Sequence, residues 1–330
     1  MIDFNKLFED FKGIKAGVIG DVMLDTYWWG HVERISPEAP VPVVTLDKRE
    51  HRIGGAGNVA LNLASLGAET TVFSVIGSDE DGGKLEGLLQ ENAIRTSYLL
   101  RSEARITTNK ARIISRNQQM MRLDSETTRD LTAAEEDGLI GQVKKYLELE
   151  KPQVLIFEDY NKGVLTGRVI SEVITLCKRY GVITAVDPKR KNFFTYKGVE
   201  IFKPNLKEVK EGLNLLLEEP NLPSLREIHR QLGEKLQHAI SFITLSERGV
   251  FFEAPGVADI IPSHIRNVAD VSGAGDTVIA VASLVYAATK DVRLMAEVAN
   301  LAGGLVCEEV GTVAINKERL LTECKVLLVA

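Results

Sequence analysis

The segment 267–280, NVADVSGAGDTVIA, places a carboxylate and bare backbone together where a helix is expected to begin. Gly273 and Gly275 lack a Cβ, so their backbone can approach a ligand closely. The apolar pattern after Asp276 predicts a helix, whose first N–H groups have no partner within it and lie at its positive dipole end. The turn therefore predicts a phosphate site, and Asp276 predicts a general base for phosphoryl transfer to a hydroxyl group. An ordinary helix start is the alternative.

Two better-known phosphate-binding motifs fit this chain less well. The Rossmann pattern Gly-x-Gly-x-x-Gly is incomplete because Val278 stands at its third glycine position. The segment also lies near the C-terminus instead of after a first strand. The Walker pattern Gly-x4-Gly-Lys-Ser/Thr does not occur in the sequence. A dinucleotide-dependent oxidoreductase is therefore disfavoured.

The composition is that of an ordinary globular protein, with 330 residues of which 45% are hydrophobic and 26% charged. The formal net charge of −6 disfavours general nucleic-acid binding, which depends on neutralising phosphates. Cys177, Cys307 and Cys324 form no Cys-x-x-Cys pair and are expected to be buried free thiols in a reducing compartment. The charged N-terminus has no signal-peptide pattern, and the longest apolar run, 278–288, is too short to span a bilayer. We therefore expect a cytoplasmic protein with neither a membrane nor a nucleic acid as partner.

Short β-branched runs alternate with helical patterns along most of the chain, which predicts βαβ units and a mostly parallel sheet. Three strand-like runs between 239 and 262 follow one another too closely for parallel crossovers, so they predict an antiparallel edge. The segments 39–51 and 105–124 have strand patterns without partner helices and predict a small β flap over one end of the sheet. Because no flexible interdomain linker is found, residues 1–330 are expected to form a single domain.

Four motifs in a fixed order resemble those of the ribokinase-like (PfkB-type) sugar kinases, and the resemblance covers nearly the whole chain. In chain order the motifs are VIGDVMLD, RIGGAGNVALNLASLG, KPNLKE and DVSGAGDT. The resemblance implies an α/β ribokinase-like fold, a doubly wound and mostly parallel sheet flanked by helices, with a small β-sheet lid whose strands lie within about 26–51 and 105–124. It also implies ATP and Mg²⁺ as cofactors. The anion hole is then formed by Gly273, Ala274 and Gly275, followed by the catalytic base Asp276.

The same resemblance assigns the ATP and magnesium side of the site. The implied cofactor-binding residues are Asn205, Leu206, Lys207, Glu208, Ser246, Gly249 and Asn300. Asn205 and Glu208 form an Asn-x-x-Glu motif that organises Mg²⁺ and the ATP phosphates. Phosphate would repel the Glu208 carboxylate unless Mg²⁺ lies between them, directly or through water. From the residues alone, this spacing equally suits a helix capping box, residues 246–250 suit a hairpin turn, and Asn300 suits close helix packing.

Eight residues are predicted to bind the sugar phosphate: Asp21, Asp25, Gly54, Gly55, Asn58, Lys110, Arg112 and Lys162. The two carboxylates follow the first strand, where α/β sheets bind ligands, and the Asn58 amide suits a vicinal diol. Helix or turn capping is the alternative for these side chains. Segment 105–122 holds five basic residues and no acidic ones, and Lys110, Arg112 and Arg116 would share one face of a regular strand. That face suits a phosphate; the alternative is an edge strand whose charges deter aggregation.

Three further segments narrow the resemblance within the family. GDVMLDTYWWGHVERISPEAPVPVV, SRNQQMMRLD and DYNKG are similar to the branch that phosphorylates D-glycero-β-D-manno-heptose 7-phosphate at O1, on the route to ADP-heptose for the lipopolysaccharide core. In many members of that branch a nucleotidyltransferase domain follows the kinase. No C-terminal nucleotidyltransferase domain is expected here, since the sequence ends at residue 330. Val271 stands where a threonine is common, which bears on the monovalent-cation site that some family members have near this loop.

The expected partners are ATP, a small sugar phosphate and a second copy of the chain. A lid of few strands is marginal by itself, so we expect the lid to be covered in a homodimer. Two other functions stay open, a kinase for a different sugar or sugar phosphate and a non-catalytic sugar-phosphate-binding protein. Asp276, Asn205 and Glu208 favour the enzyme, because a binding protein needs neither a base nor a magnesium site.

Overall fold

The computed structural model describes residues 2–116 and 118–328, so residue 117 of the predicted lid lies outside the described residues. The strands are β1 (Lys15–Gly20), β2 (Val22–Ile35), β3 (Pro42–Gly55), β4 (Glu69–Phe73), β5 (Val75–Gly77), β6 (Leu100–Ser102), β7 (Asn109–Ser115), β8 (Gln118–Ser125), β9 (Val154–Glu158), β10 (Ile183–Asp187), β11 (Ile201–Phe202), β12 (Ile240–Thr244), β13 (Val250–Ala254) and β14 (Val257–Ile261). The helices are α1 (Phe4–Asp10), α2 (Ala56–Leu66), α3 (Glu80–Glu91), α4 (Ala133–Glu150), α5 (Gly167–Tyr180), α6 (Leu206–Leu213), α7 (Leu222–Leu236), α8 (Ala274–Thr289), α9 (Val292–Val306) and α10 (Lys317–Leu327).

The central sheet has the strand order β14-β13-β12-β11-β10-β9-β1-β4. Its strands from β4 to β12 run parallel, whereas β13 pairs antiparallel with both β12 and β14. Helices supply the long crossovers that parallel strands need, and the antiparallel edge is joined by short turns. The predicted fold class, an α/β protein with a mostly parallel sheet flanked by helices and a separate small β-sheet, is confirmed.

The core lies on both faces of the central sheet. Because side chains alternate along a strand, Val18 of β1 belongs to an apolar cluster formed with α1, α2, α3, α8, α9 and α10, while Ile19 belongs to one formed with α4, α5, α6 and α7. Strands buried on both faces have continuous apolar runs, as in residues 154–157. Within residues 2–116 and 118–328, no helix has both the length and the apolar character needed to cross a membrane.

A second sheet, the lid, has the strand order β3-β2-β7-β8. A single residue, Asp21, separates β1 from β2, and β3 runs directly into α2, so the lid is attached to the carboxyl end of the central sheet. At the second junction Gly55 has a φ of 59°, and a Cβ there would lie 2.3 Å from the Asp21 carbonyl oxygen. Only glycine fits this close, left-handed connection.

One contact of the lid with the rest of the protein is made by Arg52 of β3. Its Nη1 donates to the carbonyl oxygen of Val310 at 3.1 Å and to that of Thr312 at 3.4 Å. Between these two residues, the Gly311 N–H donates to Asp270 Oδ2 at 2.9 Å. The lid is therefore joined, through one short loop, to the segment that leads into α8.

Candidate active site

Neighbouring strands of the central sheet end in charged residues at one level. In the parallel register Glu158 of β9 lies beside Gly20 of β1 and beside Asp187 of β10. Lys203 follows β11, and its Nζ lies 2.8 Å from Asp187 Oδ2 while its side chain is only 2% exposed. The residues two positions earlier on β9, β10 and β11 belong to the core on the α8 side, so these charged side chains point under the start of α8. Ligands of open α/β sheets bind at this carboxyl end.

Helix α8 begins at a glycine turn, as the sequence predicts. Gly273 is its N-cap, with a left-handed φ of 76°, and a Cβ there would lie 2.8 Å from Asn58 Nδ2. Ala274, Gly275 and Asp276 form the first turn of α8, and a Cβ on Gly275 would lie 3.4 Å from Asp187 Oδ2. The glycines therefore let a helix N-terminus lie directly against the charged strand ends. Such an N-terminus is suited to an anion.

Asp276 is buried and is held at both carboxylate oxygens. Asn58 Nδ2 donates to its Oδ2 at 2.8 Å, and the Tyr160 hydroxyl donates to its Oδ1 at 2.8 Å. Burial raises the pKa of Asp276 from 3.8 to about 6, although both hydrogen bonds act in the opposite direction. The carboxylate is thus ionised near neutral pH and basic enough to take a proton, which is the condition for a general base.

Asn58 reaches this site from α2. The N-cap of α2 is Gly55, and Asn58 is the third residue of the helix, so the alternative that Asn58 is only an N-cap is wrong. Its neighbour one turn on, Asn62, donates to the Asn58 carbonyl oxygen at 2.8 Å and accepts from the Thr277 hydroxyl of α8 at 3.1 Å. These contacts tie α2 to α8 and fix the Asn58 amide against Asp276.

Asn205 and Glu208 form the capping box that their spacing allows. The Glu208 N–H donates to Asn205 Oδ1 at 2.8 Å, and the Asn205 N–H donates to Glu208 Oε2 at 2.8 Å. The other oxygen of Glu208 accepts from Lys189 Nζ at 3.0 Å, and Lys189 also lies 3.2 Å from Asp187 Oδ1. The capping role is therefore real, and it leaves one Glu208 oxygen turned toward the charged centre. Lys207, by contrast, has an 85% exposed side chain.

Two observations bear on whether this centre suits a divalent cation. Burial opposes the charge of Lys189, yet Asp187 and Glu208 raise the pKa of its ammonium group, so a cation between these carboxylates is favoured. Among the described residues neither oxygen of the buried Glu158 has a hydrogen-bond partner. Burial, Asp187 and Asp276 raise the pKa of Glu158 well above its usual range. Carboxylate oxygen beside a phosphate turn is compatible with Mg²⁺, which keeps several waters and takes phosphate oxygens as ligands. Within residues 2–116 and 118–328, no three His, Cys, Asp or Glu side chains are grouped so as to hold a metal ion by themselves.

Asp21 holds a loop in this structure. Its carboxylate accepts from the backbone N–H groups of Tyr160 at 2.9 Å, Lys162 at 3.0 Å and Val164 at 3.1 Å. Asp21 is 1% exposed, and burial raises its pKa to about 6. Through these bonds Asp21 anchors the DYNKG segment. Its contact with a sugar stays a prediction.

Asp25 and Arg112 face each other across the lid. Arg112 Nη1 donates to Asp25 Oδ1 at 2.5 Å, and the guanidinium carbon lies 5.3 Å from the centre of the Tyr27 ring. A Cβ on Gly54 would lie 2.3 Å from Asp25 Oδ2, which explains the glycine at this position. The structure thus brings three of the predicted sugar-binding residues together on the cleft side of β2, β3 and β7.

Lys110 and Lys162 are also brought together, around an acidic residue that the sequence analysis missed. Glu126 accepts from Lys110 at 3.1 Å and from Lys162 at 2.7 Å. Arg105 is buried and donates to backbone carbonyl groups, so it does not belong to this group. The prediction that Arg116 shares the face of Lys110 is wrong, because β7 ends at Ser115 and Arg116 lies in the following turn with a left-handed φ of 48°.

The remaining nucleotide-side predictions fall at two turns. Ser246 and Gly249 lie in the turn between β12 and β13, and a Cβ on Gly249 would lie 2.0 Å from the Ile261 carbonyl oxygen. Asn300 of α9 donates to the Pro262 carbonyl oxygen at 2.9 Å, at the beginning of the loop that leads to α8. Both places border the loop 262–273, and ATP contacts there stay predictions.

Sequence reasoning missed Tyr160, Lys189, Lys203, Glu158 and Asp187 as parts of the site. Tyr160 stands in the quoted DYNKG segment, and the other four stand at or just after strand ends. A search for charged residues that immediately follow each apolar strand run would have found them, since such positions meet at one edge of a parallel sheet.

Known proteins resemble this chain in sequence and in fold. A profile of the pfkB family of carbohydrate kinases matches residues 15–319. The bifunctional protein HldE of Citrifermentans bemidjiense is 40% identical over 324 residues, which cover 97% of this chain and 65% of that protein. Phosphofructokinase-2 from Escherichia coli in complex with potassium has a TM-score of 0.78 at 17% identity, covering 94% of this chain and 99% of its own. A putative ribokinase from Agrobacterium tumefaciens has a TM-score of 0.74 at 15% identity, covering 96% and 98%.

The structural likeness confirms the ribokinase-like fold that the sequence motifs imply. The chain spans 62–65% of the length of the curated HldE relatives it matches. Because the family profile extends from β1 into α10 and includes the helix start at Asp276, this chain belongs to the pfkB family of carbohydrate kinases.

Proposed function

We propose that this sugar kinase transfers the γ-phosphoryl group of ATP to O1 of D-glycero-β-D-manno-heptose 7-phosphate, giving the 1,7-bisphosphate and ADP on the route to ADP-heptose. The observation that carries the reaction type is Asp276, buried at the N-terminus of α8 and held at both oxygens by Asn58 and Tyr160. Identity of 36–40% to bifunctional HldE proteins supports the heptose substrate and the pathway.

In this mechanism Asp276 accepts the proton of the O1 hydroxyl group while O1 forms a bond to the γ-phosphorus. The bond between that phosphorus and the bridging oxygen breaks, and ADP leaves with the electron pair. The first-turn N–H groups of Gly275 and Asp276 would stabilise the charge that develops on the transferring group. The Ala274 N–H donates to the Val271 carbonyl oxygen at 3.3 Å in this structure and would have to exchange that partner to join them. Glu208 would hold Mg²⁺ through water or phosphate oxygens, and the ion would neutralise phosphate charge. Closure of the lid excludes water and limits hydrolysis of ATP.

Recognition of the substrate's existing phosphate is assigned to Lys110, Lys162 and Arg112. The first two already pair with Glu126, and Arg112 pairs with Asp25. An incoming phosphate must therefore replace a carboxylate as the partner of at least one of these cations. Charge-assisted bonds to phosphate are strong enough for this exchange, about 1.5–3 kcal/mol each.

The proposed assembly is a homodimer in which the lid of one copy covers that of the other. Met121 and Leu123 of β8 pair with Ile113 and Ala111, and therefore lie on the face opposite to Arg112. Met121 is 55% exposed and Leu123 46% exposed. A sheet face with exposed large apolar side chains is suited to a partner's equivalent face.

The test is a substrate panel with ADP release as the readout. Purified protein is given ATP, Mg²⁺ and, separately, heptose 7-phosphate, fructose 6-phosphate, ribose and the dephosphorylated heptose, with Asp276→Asn as the inactive control. We expect heptose 7-phosphate to give the highest kcat/KM. Higher kcat/KM on another sugar would replace the substrate, and tight sugar-phosphate binding without ADP release on any sugar would favour a non-catalytic binding protein.

A further inference from the structure

We infer that Tyr160 is a positioning residue for the base, one that fixes the orientation of the Asp276 carboxylate and stabilises its ionised form. This inference rests on the proposed function. The Tyr160 hydroxyl donates to Asp276 Oδ1 at 2.8 Å, while Asn58 donates to Oδ2 from the other side at 2.8 Å. Because the two donors bind different oxygens, they hold the Asp276 carboxylate in one orientation. The lone pairs that remain free to accept a proton therefore point in a fixed direction.

The loop that carries Tyr160 is anchored by two buried carboxylates. Asp21 accepts the N–H of Tyr160 itself and also those of Lys162 and Val164. Asp159 Oδ1 accepts the N–H of Asn161 at 2.8 Å, which holds that residue at a left-handed φ of 54°. Four of the five N–H groups from 160 to 164 are thus held by these two carboxylates, and the aromatic side chain so placed is the one that reaches Asp276.

A second layer holds the anchor in its turn. The other oxygen of Asp159 accepts from the Tyr196 hydroxyl at 2.7 Å and from Asn192 Nδ2 at 3.0 Å. Tyr196 is fully buried. This tyrosine therefore supports the same loop without touching Asp276, which makes it a matched control for Tyr160.

The surroundings keep Tyr160 a hydrogen-bond donor at every working pH. Lys189 Nζ lies 5.6 Å from the centre of its ring. Burial, together with the charges of Asp276 and Glu158, raises the pKa of the Tyr160 phenol well above its usual range. Since the phenol stays protonated, it cannot compete with Asp276 for the substrate proton. Its contribution is to the orientation and charge of the base.

The test compares kcat/KM between pH 5 and pH 9 for wild type, Tyr160→Phe and Tyr196→Phe. In wild type, kcat/KM should fall at low pH as Asp276 becomes protonated; we call this part of the pH profile the acid limb. Because Tyr160→Phe loses a hydrogen bond to the ionised form of Asp276, its acid limb should lie about one pH unit higher. A less firmly oriented Asp276 carboxylate should also lower the pH-independent kcat/KM of this variant roughly tenfold or more. Tyr196→Phe should keep the wild-type limb. An acid limb of Tyr160→Phe that coincides with that of wild type overturns the inference.

Two further measurements test the inference even if a variant is unstable or the proposed substrate is wrong. Incorporation of 3-fluorotyrosine at Tyr160 gives a stronger donor, and should move the acid limb downward; an unmoved limb counts against the inference. Isotope-edited infrared titration of aspartate, with Asp276→Asn to identify the band, reports the pKa of Asp276 without turnover. If heptose 7-phosphate is not phosphorylated but this pKa rises in Tyr160→Phe, the substrate proposal fails and the inference stands. If the pKa is unchanged, the inference fails.

Discussion

Asp276→Asn separates catalysis from stability in this site. Burial raises the pKa of Asp276 from 3.8 to about 6. A folded-state pKa above the unfolded one means that this group contributes stability below about pH 4, and that the contribution is lost as the pH rises through about 6. At about 1.4 kcal/mol per pKa unit, the ionised carboxylate lowers the free energy of unfolding at pH 8 by about 3 kcal/mol. Its 4% exposure leaves little screening by solvent.

The uncharged side chain of Asp276→Asn removes the cost of burying a charge, but the two hydrogen-bond donors around it remain. Asn58 and Tyr160 donate to different oxygens of Asp276, whereas an asparagine offers one acceptor and one donor group. The Asn58 amide can turn over and accept, and this imperfect exchange costs about 1 kcal/mol. We therefore expect Asp276→Asn to be about 2 kcal/mol more stable than wild type at pH 8, and well under 1 kcal/mol more stable at pH 5.

Urea unfolding at pH 5 and pH 8 measures the stability difference, and ADP release measures turnover. The variant should bind ATP normally and lose roughly 10²–10⁴-fold in kcat, the contribution of a positioned base. Asp291→Asn is the matched control, because Asp291 is the N-cap of α9 and asparagine caps equally well. Near-normal turnover, or a variant less stable than wild type at pH 8, would refute the role of Asp276 as a buried ionised base.

Three other changes test the magnesium, phosphate and dimer assignments. Glu208→Gln should raise the Mg²⁺ concentration needed for half-maximal rate and lower kcat, with sugar affinity measured by titration nearly unchanged; a loss of sugar affinity would contradict the assignment. Lys110→Ala should raise KM for the sugar phosphate roughly 10-fold or more but KM for ATP only weakly. The control Arg105→Ala should lower Tm instead, since Arg105 donates to the carbonyl groups of Arg129 and Lys162; equal sugar-phosphate KM in both variants and wild type would exclude the phosphate role. Leu123→Asp should sediment as a monomer at micromolar concentration where wild type is a dimer, and a monomeric wild type would exclude the lid interface.

The sequence predicted what depends on local pattern. The helix start at Gly273 follows from glycine geometry and the apolar period after it, and the structure has it at that residue. Asn205 and Glu208 had two interpretations, and the capping box is observed while one Glu208 oxygen still faces Lys189. Local spacing could not decide between a cap and a ligand because the same side chain serves as both.

The sequence could not predict contacts that form between distant elements. Lys110 and Lys162 are 52 positions apart in the sequence, yet both form ion pairs with the carboxylate of Glu126. Arg116 has the parity of a regular strand in the sequence, but β7 ends at Ser115 and Arg116 lies in a turn with a φ of 48°. Pairing across the lid and the residue at which a lid strand ends depend on tertiary packing, which a periodic pattern does not contain.

The contact of Arg52 with the loop 310–312 offers a way for the binding of one substrate to affect the binding of the other. Arg52 belongs to the lid, while the Gly311 N–H binds Asp270, three residues before the phosphate turn. If sugar binding changes nucleotide affinity by some factor through this contact, nucleotide binding must, by thermodynamic reciprocity, change sugar affinity by the same factor. The sugar phosphate and ATP would then bind cooperatively without sharing a ligand residue. Arg52→Ala would weaken that cooperativity while leaving each binding site's own residues in place.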